Sequence, residues 1–320
     1  MAYNLKNTLV IGVSATALFD LSKADELFKK EYKNHPDKAI DIYREYMLER
    51  EDIALEEGIA YGLIKALLDL NRYKKNSEAP LVEVVVMSRN SPDTGVRVLN
   101  TIRKLKLDIT RSAFTAGESS ADYLEAFDID LFLTTNETDA QKVIDNGVCA
   151  SAVLSTPPEY KYDIPDGQVR IAFDGDAVLF SDESELVYKE DGIEAFHQNE
   201  EQSQNIPMKE GPFASFLKKL ARLQERLPMK MEFSPVRIAI VTARNAPSDL
   251  RVIKTLRHWG VYVDEAFFLG GIEKSKILQS FKAHIFFDDQ DVHLDTSSLV
   301  VPSGKVLYPS NSKLNHHNKK

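Results

Sequence analysis

The sequence predicts an α/β protein made of two tandem, related, doubly wound parallel-sheet units, each with a helical insertion. Three observations predict it. A segment near residue 85 recurs near residue 240, short apolar strands alternate with amphipathic helices in both copies, and a stretch rich in proline and turn formers separates them.

The recurrence is legible residue by residue. The first copy, VEVVVMSRNSPDTGVRVLNTIRKLKL, and the second, VRIAIVTARNAPSDLRVIKTLRHWGV, are each an apolar strand, a polar turn containing Arg-Asn-x-Pro, and an amphipathic helix. Beyond the turn the register holds at a constant offset of 154 residues, pairing Arg97 with Arg251, Thr101 with Thr255, Arg103 with Arg257, Phe114 with Phe268, Gly117 with Gly271 and Phe127 with Phe281. Upstream, VIGVSATALF (10–19) resembles RIAFDGDAVLF (170–180), which sets Ser14-Ala15-Thr16 opposite Asp174-Gly175-Asp176. Each copy therefore reads strand, insertion, strand, helix, strand, helix, strand.

The segment STPPEYKYDIPDGQ (155–168) marks the boundary. It divides the chain into an N-terminal unit over residues 1–155, with an insertion at about 21–80, and a second unit over 156–320, with an insertion at about 184–232. Both insertions read as helical. Ser22 with Asp25 forms a candidate cap, and residues 40–70 carry apolar side chains at helical spacing. In the second insertion Gly211-Pro212 opens FASFLKKLARLQERL, where Phe213, Phe216, Leu217, Leu220 and Leu223 line one face before Pro228 ends it. The polar C-terminal NSKLNHHNKK reads as a frayed tail.

Composition narrows the function. A chain of 320 residues with 43% apolar and 28% charged residues is an ordinary globular mix, long enough for two cores. Its formal charge of −9 repels a polyanion, so nucleic acid is not an expected partner. The one cysteine, Cys149, can form no internal disulfide, which fits a reducing compartment. The apolar stretch TLVIGVSATALF (8–19) lacks a cleavage site and is mirrored by an internal strand, so it is not read as a signal peptide; no run approaches a membrane span of about 18 residues. The expected setting is the cytoplasm, away from membranes.

In open α/β sheets ligands bind beyond the carboxyl ends of the strands. In the second unit those ends deliver Asp174-Gly175-Asp176, Thr242, Lys274 and Asp288-Asp289. Taken singly, each is an ordinary turn or surface residue. A calcium-loop reading of Asp174, Asp176, Asp182 and Glu185 fails, because Leu179 stands where the loop needs glycine and a strand rather than a helix comes first. Together, carboxylates so crowded require a cation. The donors are oxygens, and His284 and His293 flank the acidic pair without a partner at zinc spacing, so magnesium is the expected metal.

Such a site suits phosphoryl transfer. Asp174 is the expected nucleophile, and Asp176 protonates the leaving oxygen. Thr242 and Lys274 hold the phosphoryl oxygens, while Asp288 and Asp289 help to hold magnesium. Arg244 and Asn245, in the turn shared by both copies, are candidate substrate contacts. The N-terminal copy offers Ser14 and Thr16 for the two aspartates, Ser120 near the lysine position and Thr134-Thr135 for the aspartate pair. Neutral hydroxyls neither attack phosphorus nor neutralise magnesium, so this copy is expected to be catalytically silent. It then either completes the core or an oligomer interface, or forms with Arg89 and Asn90 a polar nucleotide pocket, in which Ser14 and Asn90 touch the substrate's nucleoside or a separate effector.

The set Asp-x-Asp, strand-end Thr, Lys and Asp-Asp resembles, in the same order, the four motifs of the haloacid dehalogenase-like phosphatases. More specifically, AFDGDAVLFSDESE, IVTARNAP, LRVIKTLRHWG, DEAFFLGG and HIFFDDQ are similar to the cytosolic 5′-nucleotidases of type I, as is IGVSATALF near the N-terminus. The resemblance spans about residues 10–309. It implies a Rossmann-like, haloacid dehalogenase-like fold, magnesium dependence, hydrolysis of nucleoside 5′-monophosphates with AMP as an expected substrate, an aspartyl-phosphate intermediate, and assembly into homo-oligomers. It also implies that Asp176 ligates the metal through its backbone carbonyl, beside Asp174 and the Asp288-Asp289 pair. Two other readings stand beside it: a phosphatase for another small phosphomonoester such as a sugar phosphate, and a nucleotide-binding regulator with little turnover.

Overall fold

Strands form where β-branched and aromatic residues run together, and several are buried on both faces, as parallel sheets require; all seven side chains of Val82–Ser88 are buried. In a computed structural model of the chain, residues 5–75, 79–155, 167–228 and 234–317 are described. The first half runs β1 Leu9–Ser14, α1 Ala15–Leu18, β2 Phe19–Asp20, α2 Ser22–Asn34, α3 Pro36–Leu48, β3 Glu56–Glu57, α4 Tyr61–Asp69, β4 Val82–Ser88, α5 Val96–Lys104, β5 Arg111–Phe114, β6 Leu131–Thr134, α6 Glu137–Asn146 and β7 Ala150–Leu154. The second half runs β8 Val169–Phe173, α7 Glu183–Gln202, α8 Ala214–Glu225, β9 Val236–Thr242, α9 Asp249–His258, β10 Glu265–Phe268, α10 Ser275–Phe281, β11 Ile285–Asp288, α11 Asp291–Ser297, β12 Ser303–Lys305 and α12 Leu314–His317.

The main sheet has ten strands in the order β10-β9-β8-β11-β12-β7-β6-β1-β4-β5. Read from each outer edge inward, both halves follow one order, so the repeat seen in the sequence is a repeat of topology. Pairing within each half is parallel. Alternate side chains feed the two faces: Val10, Val85 and Phe132 pack on one, and Leu9, Ile11, Val84 and Leu131 on the other with Ile171, Phe173 and Ile238 of the second half. The fold is thus α/β with a large, mostly parallel sheet, consistent with the Rossmann-like expectation.

The halves join at β7 and β12, which pair antiparallel with Gly304 opposite Leu154 and Lys305 opposite Val153. This junction has a consequence for function. The carboxyl ends of the first five strands face one way and those of the second five the other. Ser14 at the end of β1 and Asp174 after β8 are five strand spacings apart, roughly 24 Å at about 4.8 Å per step.

The insertions repeat as well. Arg97 Nε donates to Ile53 O at 3.1 Å and Arg251 Nε to Ile206 O at 3.0 Å, while Thr101 Oγ1 and Thr255 Oγ1 each accept a backbone N–H, from Leu55 and Met208, at 3.1 Å. Gly58 and Gly211 share a tighter constraint. A Cβ on Gly58 would lie 2.6 Å from Ala17 O, and one on Gly211 2.3 Å from Phe180 O, so only glycine lets the returning chain approach the turn after the first strand.

Local expectations change. Each half adds a fifth strand, β7 or β12, to the expected four, and short 3-10 turns rather than an α-helix join β5 to β6. Residues 40–70 are not one helical stretch: after α3 the chain extends, Glu56–Glu57 pair with Phe19–Asp20, and the N–H groups of Gly58 and Ala60 bond to Leu18 O and Ala17 O. Long-range backbone bonds outweigh the helical spacing there. The N-cap of α2 is Leu21, without a side-chain cap bond, rather than Ser22 with Asp25; Asp20 Oδ1 accepts from Ser22 N at 2.8 Å just before the helix. The expected helix of the second insertion forms as α8, with Phe216, Leu217, Leu220 and Leu223 buried. It lies against the other half, where Lys219 pairs with Asp130 at 2.6 Å. The boundary placed at 155/156 abuts residues 156–166, which lie outside the described residues. Among the described residues no helix is long and apolar enough to cross a membrane.

Candidate active site

The site is built where β8, β9 and β11 end. Asp174 follows β8 directly, and its N–H donates to Phe287 O at 2.8 Å, so the backbone is still fixed by β11 at this residue. The chain then turns sharply through residues 175–179, with Ala177 at φ 57° and Phe180 N–H closing on Gly175 O at 2.9 Å. A Cβ at position 175 would sit 3.3 Å from Thr242 Oγ1, so glycine brings the Thr242 hydroxyl, at the end of β9, close to the turn.

Lys274, just before α10, lies at the centre. Its ammonium is 2.8 Å from Asp174 Oδ1, off the direction of a hydrogen bond, and donates to Asp288 Oδ2 at 2.7 Å. All three residues are buried. Burial pushes the Asp174 carboxyl up to about 6, with Lys274 opposing and Asp288 and Asp176 adding to the rise. Burial acts the same way on Asp288, but Lys274 and His293 outweigh it and hold that carboxyl below the usual range. Lys274 is held charged by its two carboxylates against the pull of burial.

Asp289 differs from its neighbour. Its Oδ2 accepts from the Tyr308 hydroxyl, while its Oδ1 is buried without a hydrogen-bond partner. Burial first, then Asp288 and Asp174, push this carboxyl well above the usual range. An orphaned carboxylate oxygen beside two more carboxylates is costly unless a cation joins it. Among the described residues, Asp174, Asp288 and His293 offer ligand atoms that all lie within 4.8 Å of one another. His293, which has no zinc-type partner at sequence spacing, places Nδ1 3.2 Å from Asp288 Oδ2. The other donors are oxygens, and the set fits a hard divalent cation.

Asp176 faces Arg244. Nε and Nη2 of the guanidinium donate to Asp176 Oδ2 and Oδ1 at 2.7 and 2.6 Å, and Nη1 donates to Glu200 Oε2 at 2.5 Å. Glu200, wholly buried in α7, also accepts from Arg251 and Ser184, each at 2.8 Å. Burial would lower the Arg244 pKa, but the two carboxylates overcome it and raise it further. Arg244, expected to touch substrate, has its guanidinium engaged in this internal network. Asn245 lies at the mouth, its Oδ1 3.3 Å from His197 Nε2.

Asp174, Asp176, Arg244, Asn245 and His293 line a cavity of about 450 Å³, with Lys274, Asp288 and Asp289 buried behind its wall. One wall is Asp174, Asp176, Thr242 and Asn245, and the other is α7 with Glu185, Tyr188, Ile193, Phe196 and His197. A hollow of about 520 Å³ beside Asp130 and Lys219 has no strand-end cluster of this kind. Ser14 and Asn90 are not part of the cavity. Ser14 Oγ is 3.1 Å from Thr16 Oγ1, which meets Thr135 Oγ1 at 2.6 Å, and Asn90 Oδ1 accepts from Tyr43 at 2.9 Å. The antiparallel junction turns this hydroxyl cluster away from Asp174, so the two residues cannot serve the same substrate within one chain.

Sequence reasoning did not name Glu200 or Tyr308, and it gave Glu185 and His293 no part in the site. Arg251 carried the one usable signal for Glu200: a repeated arginine facing an insertion needs an acceptor there, and in the first half Met47 Sδ stands 4.0 Å from Arg97 Nη1.

A sequence model of the family described as 5′-nucleotidase matches residues 1–313. Cytosolic 5′-nucleotidase 1B of Homo sapiens is 36% identical over 296 residues, which are 91% of this chain and 47% of that protein. The chain thus spans about half the length of this relative. A crystal structure of histidinol dehydrogenase from Elizabethkingia anophelis aligns at 10% identity and a TM-score of 0.23, over 99% of this chain and 77% of that one, too slight a likeness to bear on fold or function.

Proposed function

Because the chain belongs to the 5′-nucleotidase family, we propose that it hydrolyses nucleoside 5′-monophosphates, AMP among them, to nucleoside and phosphate through an aspartyl-phosphate on Asp174. The observation that carries this reading is the Asp174 carboxylate fixed at the end of β8, 2.8 Å from the Lys274 ammonium, on the wall of the cavity.

Asp174 attacks phosphorus, and the bond to the nucleoside oxygen breaks as Asp176 gives that oxygen a proton. Asp176 then takes a proton from the water that hydrolyses the acyl phosphate. Thr242 and Lys274 hold the phosphoryl oxygens; a preorganised donor of this kind is worth about 10²–10³ in kcat. Arg244, itself fixed by the buried Glu200, sets where the Asp176 carboxyl points. Asp174, Asp288, Asp289 and the Asp176 backbone carbonyl would hold Mg²⁺, which when bound supplies positive charge against the phosphate.

The α7 wall favours a nucleotide over a bare sugar phosphate. Tyr188, Ile193 and Phe196 offer apolar surface, and His197 and Asn245 offer hydrogen bonds, a mixture suited to a nucleoside. In this reading residues 156–320 carry the chemistry and residues 1–155 support it. The relative is named as cytosolic, and we extend that setting to this chain, together with assembly into homo-oligomers.

A phosphate-release panel over nucleoside monophosphates and sugar phosphates, with and without Mg²⁺, tests the proposal. A nucleotide should give the higher kcat/KM, because contacts to base and ribose add transition-state binding. Sugar phosphates ahead by about tenfold or more would overturn the substrate assignment.

A further inference from the structure

Within the stretch expected to fray, Ser312 and Leu314 are buried, and the chain that leads to them from β12 is tied to the site. Val306 N–H donates to Asp288 O at 2.9 Å, Tyr308 is buried, and Tyr308 packs with Leu314 against Ala177 in the turn that follows Asp174. From there the segment crosses to the other half. Gln141 Nε2, on α6, donates to Tyr308 O at 2.9 Å, and Asp145 accepts from Ser310 twice, from N at 2.7 Å and from Oγ at 2.6 Å. Ser312 Oγ then returns the strap to the second half by donating to Asp182 Oδ2 at 2.6 Å.

We propose that Tyr308 is a positioning residue for the metal site, and that the N-terminal half acts on that site through the strap held by Gln141 and Asp145. The inference rests on the reading of Asp289 as a metal ligand. By donating to Oδ2, the Tyr308 hydroxyl fixes the carboxylate plane and leaves Oδ1, which has no hydrogen-bond partner, as the atom presented to the cation. Groups that orient a ligand in this way typically account for about 10–100-fold in metal affinity. A catalytically silent repeat thereby gains a physical role: its α6 anchors the segment that orients a ligand of the other half.

The test is Mg²⁺ binding to the full chain by calorimetry, without substrate, for wild type, Asp289→Asn, Tyr308→Phe and the surface double variant Gln141→Ala with Asp145→Ala. Tyr308→Phe keeps the packed ring and removes only the donor, so it should fold. We expect its Mg²⁺ Kd to rise about tenfold, with the melting temperature of the metal-free protein little changed. The α6 double variant should weaken Mg²⁺ about threefold. A Tyr308→Phe Kd within twofold of wild type, while Asp289→Asn loses Mg²⁺, would overturn the positioning role and leave the metal assignment standing. If Asp289→Asn binds Mg²⁺ as tightly as wild type, the ligand assignment falls and this inference with it.

Discussion

Arg244 grips Asp176 with two nitrogens, at 2.7 and 2.6 Å, and its third nitrogen is held by the buried Glu200. A planar fork is what such a grip needs, and a lysine ammonium cannot reproduce it. Arg244→Lys should therefore lower kcat about tenfold or more, with a smaller change in KM, and should lower the melting temperature. Steady-state kinetics beside thermal melting checks this. A kcat within twofold of wild type would show that Asp176 needs no such placement.

A second prediction concerns acid stability. His284 Nδ1 accepts from Arg170 N at 3.0 Å, and burial, with the Arg170 charge, pushes the imidazole down to about 4 from its ordinary 6.5. Between those values the unfolded chain binds a proton that the folded chain does not. Stability from this group is therefore full above about pH 6.5 and falls by about 1.4 kcal/mol per pH unit as pH drops toward 4. His284→Asn keeps an acceptor for the Arg170 N–H and does not titrate. Its unfolding free energy, from urea melts at several pH values, should fall less steeply over that window than wild type.

The strand ends were legible because each is local: an apolar run fixes the strand, and the next polar residue must lie at its carboxyl end. Asp174, Thr242 and Asp288 were placed in this way, and the repeat confirmed the register between halves. The antiparallel joint of β7 and β12 leaves no local mark, so the separation of Ser14 and Asn90 from Asp174 was invisible. Tyr308, Glu200 and His293 escaped for a related reason. Their partners Asp289, Arg244 and Asp288 lie on other elements, and a tyrosine just beyond the last strand carries no sign of the carboxylate it orients.

The hydroxyl cluster of the N-terminal half faces away from the cavity. Asn90→Ala combined with Thr135→Ala should therefore leave kcat and KM for a nucleotide within about twofold of wild type. A selective loss of nucleotide turnover, with a generic phosphate ester unaffected, would show that the first half contributes to the substrate site, for instance across a homo-oligomer interface.

Crowding of Asp174, Asp288 and Asp289 predicts a protein that Mg²⁺ stabilises as well as activates. Removal of metal with EDTA should stop turnover, and Mg²⁺ should restore it and raise the melting temperature; a ligand at 100 times its Kd adds about 2.7 kcal/mol. Full activity after thorough metal removal would contradict the site as described.

The covalent step on Asp174 can be caught by an acid quench of the enzyme during turnover of a monophosphate labelled in its phosphorus. Label should be bound to the peptide containing Asp174, released by hydroxylamine as an acyl phosphate should be, and absent from Asp174→Asn, which should be almost inactive. Turnover without bound label, or phosphate release by Asp174→Asn within about tenfold of wild type, would contradict that step.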